Sequence, residues 1–357
     1  MDLPVNPPVK PMLAKAVPAI PDRDDLIFEP KWDGFRCIVF RDGDEVILGS
    51  RNEKPLTRYF PELLDPIRAN LPDRCVVDCE LIISTDNHLD FNALQQRIHP
   101  AQSRVTMLAE TTPAELVAFD LLALGSDDLR TAPFSERRAA LAHALKAVRA
   151  PIHLTPTTTD TDTATMWFEV FEGAGLDGLI AKPVDDPYAE NKRSQFKIKH
   201  VRSADAVVAG YRIHKDGNGV GSLLLGLYDG DKLHHVGVAA SFTAKRRGEL
   251  LEELAELRDG ALESHPWGDW ASAQAHRDGG HMPGAPHRWN ATRDSTWIPL
   301  RIERVVEVKY GSTLGGRFRE VTRLLRWRPD KHPTQCTFDQ LQEPAPAGLD
   351  VVLEARG

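Results

Sequence analysis

Residues 28–36 constrain the fold more than any other part of the sequence. They connect two strand-like runs, 26–28 and 35–40, through an Asp-Gly pair that is typical of a turn. Lys31 lies just before that turn, so we expect its side chain to extend from the rigid end of a strand toward a bound ligand. A single lysine beside an Asp-Gly turn is usually a surface residue, so a catalytic role needs support from other segments.

The length and the distribution of charge indicate two domains. A chain of 357 residues exceeds one ordinary domain. Residues 1–199 contain 23 basic and 31 acidic side chains, whereas residues 200–357 contain 21 of each. Within residues 301–331 there are nine basic and four acidic side chains, although the net charge of the whole chain is -8. Such a basic strip can bind phosphate groups.

The four cysteines and the absence of long apolar runs predict a soluble, cytoplasmic protein. Four cysteines do not make a disulfide framework in a chain of this length, and no Cys-x-x-Cys pair offers a zinc site. Reduced thiols are typical of the cytoplasm. No apolar stretch approaches the length that spans a membrane, and the proline-rich first residues do not fit a signal peptide.

The first half of the chain alternates between strand and helix patterns. Residues 1–23 are proline-rich, which predicts an extended surface segment. Glu80 lies inside an apolar strand, and in the segment 193–199 alternation places Lys197 and Lys199 on one face. The other predicted elements are strands at 38–40, 46–48, 116–122 and 177–182 and helices at 59–71, 92–98, 135–149 and 165–173.

The second half reads as a small antiparallel barrel or sheet. Short strand patterns at 206–211, 222–228, 234–239, 297–310 and 324–327 are separated mostly by Asp- and Gly-rich turns and one helix at 243–258. A polar loop at 265–290 contains four histidines and three tryptophans. We expect its histidines to be solvated, because no cysteine or helical His-x-x-x-His accompanies them, and its tryptophans to pack on the barrel.

These segments, in this order, resemble the covalent nucleotidyltransferases, and most closely the small bacterial ATP-dependent DNA ligases of the ligase C type. The sequence of residues 31–36 matches the family motif Lys-x-Asp-Gly-x-Arg at every fixed position. The resemblance extends from about residue 10 to about residue 335. It implies an α+β fold, with a nucleotidyltransferase (adenylation) domain of antiparallel sheets and helices at 1–202 and a β-barrel OB-fold domain at 203–357.

The resemblance also implies a role for each matching residue. Lys31 would attack the α-phosphorus of ATP and become adenylated. The implied nucleotide contacts are Glu29 at the adenine edge, Arg36 at the ribose or phosphate, Arg51 at a phosphate, Glu80 of the third motif, Phe119 stacked on adenine, the phosphate-binding lysines Lys182, Lys197 and Lys199 with Arg193 beside them, and Arg328 and Lys331 of the motif Arg-x-Asp-Lys, which orient pyrophosphate.

A divalent metal ion completes the implied site. Glu80 and Asp177 would hold Mg²⁺ or Mn²⁺, partly through water, because magnesium releases its hydration shell reluctantly. An amine attacks phosphorus only when neutral, and an ordinary lysine has a pKa of about 10.4. We expect the metal and the neighbouring lysines to favour the neutral amine and to stabilise the charge that develops on the phosphates.

Three functional hypotheses follow. The first is an ATP-dependent DNA ligase that seals nicks between a 5′-phosphate and a 3′-hydroxyl, in DNA repair. About 30 residues precede Lys31, too few for the extra domain of NAD-dependent ligases, so ATP is favoured. The second is an RNA ligase or a capping-type guanylyltransferase, and the third is a non-catalytic module that binds nucleic-acid ends. For the ligase we expect a monomer, nicked duplex DNA as substrate, weak intrinsic DNA affinity, a hinge near residues 200–205 and a repair partner that delivers nicks.

Overall fold

The computed structural model of the protein describes residues 1–268 and 296–355. Two compact units are present, one formed by Met1–Lys199 together with Pro344–Gly357 and the other by His200–Glu343. The predicted domain boundary between residues 202 and 203 stays a prediction. The last fourteen residues, which the sequence analysis assigned to the second domain, belong to the first unit in the structure.

The first unit contains two large β-sheets and a small two-stranded sheet, with short helices around them. Its elements are β1 (Leu13–Val17), β2 (Leu26–Pro30), β3 (Phe35–Asp42), β4 (Glu45–Ser50), α1 (Leu64–Asn70), β5 (Arg74–Ile82), β6 (Ser84–Thr85), β7 (His88–Leu89), α2 (Phe91–Gln96), α3 (Gln102–Thr111), β8 (Glu115–Leu124), β9 (Asp127–Asp128), α4 (Phe134–Ala144), β10 (Ile152–Leu154), α5 (Thr161–Phe171), β11 (Leu179–Pro183) and β12 (Arg193–Ile198).

Antiparallel pairing dominates both large sheets of this unit. One sheet has the order β1-β12-β11-β2 and the other the order β10-β8-β5-β3-β4. Only the pairs β1–β12 and β10–β8 are parallel among these neighbours. Apolar side chains of alternating strand positions fill the cores on both sides of the second sheet, for example Val39 and Phe40, both nearly inaccessible to solvent. The predicted α+β class is confirmed.

The proline-rich first residues are more deeply packed than predicted. The segment is extended, and Leu13–Val17 pairs with β12 as an edge strand. However, Leu3, Val5, Val9 and Met12 are buried against the strand face that carries Phe40. The prediction of a surface segment is therefore wrong for these residues, because their apolar side chains are spaced closely enough to cover an exposed sheet face.

The second unit contains one large curled sheet, a small two-stranded sheet and a helix. Its elements are β13 (Arg202–Ile213), β14 (Val220–Asp229), β15 (Lys232–Ala240), α6 (Ala244–Glu253), β16 (Ile298–Pro299), β17 (Val305–Tyr310), β18 (Thr313–Leu314), β19 (Arg317–Phe318) and β20 (Arg323–Trp327). The strand order is β15-β14-β13-β17-β20, with β16 beside β13.

Thr322, just before β20, joins the two edge strands of this sheet. Its N–H donates to the carbonyl of Val238, and its own carbonyl accepts from the N–H of Ala240, at 2.9 and 3.2 Å. These bonds to β15 curl the sheet around its apolar core, as expected of the predicted OB-fold barrel.

The His- and Trp-rich segment is partly described. His265 is buried and its Nε2 contacts the carbonyl of Ala209 at 2.8 Å, so the prediction of a solvated ring is wrong for this histidine. Trp267 is buried and donates from Nε1 to the carbonyl of Leu233, which confirms packing for this tryptophan. The predictions for His276, His281, His287, Trp270 and Trp289 lie outside the described residues.

A C-terminal helix, α7 (Leu349–Leu353), was not predicted from the sequence. Leu349 and Val352 are buried in the core of the first unit beside Trp167 and Phe171 of α5. Gly173 allows the close approach of this segment, because a Cβ there would lie 2.0 Å from the carbonyl oxygen of Ala345. Along the described ranges, no helix is long and apolar enough to cross a membrane.

Candidate active site

Lys31 follows β2 directly, as predicted. Its backbone N–H donates to the carbonyl of Gly178 at 2.8 Å, and its carbonyl accepts from the N–H of Asp177 at 3.1 Å. Both bonds fix the lysine against the turn that precedes β11. Gly34 of the same motif lies against β5, where a Cβ would be 2.0 Å from the carbonyl oxygen of Leu81. The motif therefore requires glycine at this position for steric reasons.

A cavity of about 250 Å³ lies between the two large sheets of the first unit. Strand alternation brings side chains from both sheets to it, including every second residue of β12. Seven cationic and two acidic side chains line the cavity, together with one predicted aromatic residue. These predicted residues are Glu29, Lys31, Arg36, Arg51, Glu80, Phe119, Lys182, Arg193, Lys197 and Lys199.

Asp177 links two of the lysines. Its Oδ2 lies 2.6 Å from the Nζ of Lys31 and 2.7 Å from the Nζ of Lys199. Burial disfavours the charged carboxylate, but the two ammonium groups outweigh it and lower the pKa of Asp177. The nucleophile candidate and a predicted phosphate ligand thus share one carboxylate oxygen. Burial lowers the pKa of Lys197, and the nearby positive charges of Lys199 and Lys31 lower it further.

Glu29 and Lys182 form a buried ion pair at another part of the cavity. The Nζ of Lys182 lies 2.7 Å from Oε2 of Glu29, and each side chain is 3% exposed. Burial raises the pKa of Glu29, and Lys182 opposes that rise. The other carboxylate oxygen, Oε1, is buried and has no hydrogen-bond partner among the described residues. A buried acceptor without a partner favours binding of a ligand that donates a hydrogen bond there.

Lys182 therefore neutralises Glu29, and its predicted phosphate contact stays a prediction. Its ammonium also lies 4.7 Å from the centroid of the Phe119 ring, and the Arg36 guanidinium lies 4.4 Å from the same centroid. Phe119 is thus held between cationic groups in the cavity wall. The stacking of adenine on this ring stays a prediction.

Arg36 depends on two residues that the sequence analysis missed. Its Nε and one terminal nitrogen donate to the two oxygens of Asp78 at 2.5 and 2.6 Å, and the hydroxyl of Tyr188 donates to Asp78 at 2.6 Å. Burial opposes the charge of Arg36, but Asp78 raises its pKa overall. Asp78 precedes Glu80 by two residues on β5, so the alternation of that strand was the signal that could have identified it.

Glu80 reaches the cavity from β5. Its Oε1 accepts from the N–H of Gly34 at 3.1 Å. Burial raises the pKa of Glu80 to about 7, although the cations Arg36 and Lys31 lower it. No cluster of three or more His, Cys, Asp or Glu suited to a metal ion occurs among residues 1–268 and 296–355. Magnesium needs only one or two protein carboxylates when phosphates supply other ligands, so Glu80 and Asp177 remain a suitable donor set.

Arg328 and Lys331 lie in the second unit, directly after β20. The structure binds both to Asp205, with Arg328 at 2.9 and 3.0 Å and Lys331 at 2.9 Å. Asp205 was not among the predicted site residues. Asp330 holds the other side of the Arg328 guanidinium at 2.8 Å.

Comparisons with known proteins agree with this geometry. Residues 11–199 match the model of the ATP dependent DNA ligase domain, and residues 216–331 match the model of the ATP dependent DNA ligase C terminal region. The chain is 56% identical to DNA ligase C of Mycobacterium tuberculosis over 99% of both chains, and 56% identical to DNA ligase C2 of Mycolicibacterium smegmatis over 96% of this chain and 97% of the relative.

A solved Lig E DNA ligase is similar in fold. It is 18% identical, with a TM-score of 0.55, over 89% of this chain and 99% of the other. This similarity supports the α+β architecture alone, whereas the family models and the two relatives cover almost the whole sequence. The chain therefore belongs to the ATP-dependent DNA ligase family.

Proposed function

We propose that Lys31 is the nucleophile with which this DNA ligase takes AMP from ATP. The Nζ of Lys31 loses a proton and forms a bond to the α-phosphorus, while the bond from that phosphorus to the bridging oxygen breaks and pyrophosphate leaves. The AMP then passes to the 5′-phosphate of a nick, and attack by the 3′-hydroxyl seals the strand and releases AMP. The observation that carries this proposal is the shared cavity of Lys31 and the unpartnered Glu29 oxygen.

The Glu29 oxygen favours adenine over guanine. The exocyclic amino group of adenine can donate to Oε1, whereas guanine presents a carbonyl oxygen at the equivalent ring position and would repel the carboxylate. This argues against the capping-type guanylyltransferase. The names of the relatives favour DNA over RNA as the strand to be joined.

The cations of the cavity bind the phosphates in this proposal. Lys197, Lys199, Arg193 and Arg51 surround the position that Lys31 must reach. Preorganised cations stabilise charge as it develops on the α-phosphate and the leaving group. Glu80 and Asp177 would hold magnesium, which supplies further neutralisation of the phosphate oxygens when bound. Asp177 accepts contacts from Lys31 and Lys199 in the structure, so it also orients the nucleophile.

The remaining parts of the proposal concern the setting of the reaction. The division into an adenylation domain and an OB-fold domain places Arg328 and Lys331 in the domain that does not contain Lys31. Adenylylation thus requires the second domain to close on the first through a hinge in the residues just before β13, because residues 202–205 of the predicted hinge are paired within that strand. DNA binding requires the second domain to move away. We further propose a cytoplasmic monomer that acts on nicked duplex DNA and receives nicks from a repair protein.

A substrate panel tests the proposed function. Wild-type protein is incubated with nicked DNA or nicked RNA, each with ATP or GTP in the presence of magnesium. Sealing of nicked DNA with ATP is the expected result, and Lys31→Arg, which keeps the charge without the reactive geometry, abolishes it. Lys146→Arg serves as the control because Lys146 is exposed and lies outside the cavity. Sealing of RNA but not DNA, or unchanged sealing by Lys31→Arg, would refute the proposal.

A further inference from the structure

Asp205 lies at the centre of the cationic pair of the second unit. One oxygen of its carboxylate accepts from Arg328 at 3.0 Å, and the other accepts from both Arg328 and Lys331 at 2.9 Å. Within the described residues, no other carboxylate is in contact with both cations. The shared carboxylate thereby fixes the separation of Arg328 and Lys331, which two residues separate along the chain.

The backbone that carries this carboxylate is held rigidly. Asp205 is 9% exposed and belongs to β13, which pairs with β14 and β17 on its two sides. Its backbone N–H donates to Oε1 of Gln340 at 2.7 Å, and Nε2 of Gln340 donates to its carbonyl at 2.9 Å. A carboxylate fixed in this way can define the position of the longer and more mobile side chains that bind it.

The two cations keep donors for a ligand. Lys331 has three N–H donors, and Asp205 takes one of them. Arg328 gives its Nε and NH2 to Asp330, whose side chain is 62% exposed, and its NH1 to Asp205. Water can replace the exposed Asp330 at Arg328 more readily than it can replace the buried Asp205. Asp205 is therefore the contact that sets the position of the Arg328 guanidinium.

We propose that Asp205 is a positioning residue for adenylylation, which orients Arg328 and Lys331 toward the pyrophosphate leaving group. This inference rests on the proposed function, since it assigns the two cations to the leaving group. Asp205 touches neither ATP nor Lys31 in this role. Loss of the Asp205 carboxylate leaves Arg328 and Lys331 in the protein but removes the contact that holds their side chains in position relative to each other.

The matched substitutions are Asp205→Asn and Glu307→Gln. Glu307 lies directly opposite Asp205 in the β13–β17 pairing and accepts from Arg326 at 2.6 Å. Both changes replace a carboxylate with an amide of similar size on the same sheet, and both remove an arginine contact. Asp205 contacts Arg328 and Lys331 directly, whereas Glu307 contacts Arg326 and acts on Arg328 only through its charge.

The experiment separates two steps of the reaction in the full chain. Bound AMP is first stripped with pyrophosphate, and single-turnover adenylylation is followed over a range of ATP concentrations. Sealing of a chemically pre-adenylated nick is then measured without ATP. For Asp205→Asn we expect the maximal adenylylation rate to fall about 100-fold, as for a misplaced catalytic group, with little change in the ATP concentration at half-maximal rate. Sealing of the pre-adenylated nick stays at the wild-type level, and Glu307→Gln matches wild type in both steps.

Several outcomes would overturn the proposal. They are an unchanged adenylylation rate in Asp205→Asn, an equal loss in both steps, or the same loss in Glu307→Gln. If Asp205→Asn does not fold, Asp205→Glu keeps the charge in a displaced position and is expected to show a smaller loss confined to adenylylation. A double variant of Asp205→Asn and Lys331→Ala is expected to lose less than the two single losses combined, because only the alignment of Arg328 remains to be lost once Lys331 is gone. Fully additive losses would contradict the coupling. Failure of the wild type to adenylylate would instead refute the proposed function.

Discussion

Asp177 in the first unit and Asp205 in the second each bind two cations, and the surroundings of these two clusters differ. Asp177 binds Lys31 and Lys199 beside the cavity that also contains Glu29. Asp205 binds Arg328 and Lys331 at the end of a strand, next to the exposed Asp330. The first unit contains the proposed nucleophile and the proposed base-reading group, whereas the second cluster offers cations without a proposed nucleophile. We infer that the first unit defines which nucleotide reacts, and that the second controls when it reacts.

The largest expected difference between the clusters concerns the nucleophile. Lys31→Ala should abolish AMP transfer to the protein, because no other group in the proposed mechanism forms the bond to phosphorus. Lys331→Ala should slow the transfer by about 10²- to 10³-fold, the usual cost of one lost electrostatic contact in a transition state. Rapid-quench measurement of AMP transfer gives both rates. An equally complete loss in both variants would mean that the second cluster takes part in bond formation.

A second contrast concerns the reaction step that each cluster serves. Arg328→Ala should slow adenylylation by about 10²-fold and leave sealing of a pre-adenylated nick intact, because pyrophosphate is absent from the later steps. Asp177→Ala should slow both steps, because in the proposed mechanism the first unit binds AMP and metal throughout. Parallel assays on ATP and on a pre-adenylated nick distinguish the two. A loss of nick sealing in Arg328→Ala would contradict the division of roles.

A smaller effect is expected on the choice of nucleotide base, which in this account depends on the first unit alone. Glu29→Gln replaces the unpartnered acceptor with an amide, which is able to donate as well as accept. We expect ATP affinity to fall about tenfold, the worth of one hydrogen bond to a charged group, and the preference for ATP over GTP to narrow. Competition between the two nucleotides for adduct formation measures this preference. Lys182→Met tests the same pair, and an undiminished preference in both variants would exclude base reading by Glu29.

The smallest expected effect is a pH dependence of stability in the second unit. Burial, together with Arg317 and Arg212, lowers the pKa of His235 from 6.5 to about 3. Nδ1 of this ring accepts from Arg317 at 2.8 Å, which places the proton on Nε2. The unfolded chain binds a proton below about pH 6.5 and the folded chain does not, so stability falls as the pH drops from 6.5 toward 3. The slope is at most about 1.4 kcal/mol per pH unit, and less where solvent reaches the ring.

Urea unfolding at pH 6.5 and pH 5 checks this effect. His235→Asn should weaken the loss of stability between the two pH values, because asparagine does not titrate there. His88→Asn, an exposed position in the first unit, should leave the loss unchanged. Equal pH dependence in wild type and His235→Asn would show that other groups account for it.

Short-range patterns predicted most of the fold. Alternation correctly placed the strands that contain Glu80 and Lys197, and the Asp-Gly pair after Lys31 marked the turn between β2 and β3. Long-range packing was not predictable in the same way. The burial of Leu3 and the docking of α7 on α5 depend on contacts between distant parts of the chain, which local periodicity does not encode.

The candidate site, like the fold, was only partly predictable from local sequence patterns. Motif positions identified the residues that converge on the cavity, because their order along the chain resembles a known family. Two residues that support them were missed. Asp205 is a single carboxylate within an apolar strand and has no distinctive spacing, and the one signal for Asp78 was its place two residues before Glu80 on β5. The ion pair of Lys182 was also not predictable from local pattern. Its partner, Glu29, lies 153 positions away, and the pairing of β2 with β11 brings the two together.

Peptide mapping by mass spectrometry of the AMP adduct tests the central claim most directly. The wild-type chain is first stripped with pyrophosphate, then incubated with ATP and magnesium, and digested. The account predicts one AMP per chain, located on the peptide that contains Lys31 and absent when pyrophosphate is added back. An adduct on another lysine, or no adduct under conditions in which nicked DNA is sealed, would contradict it.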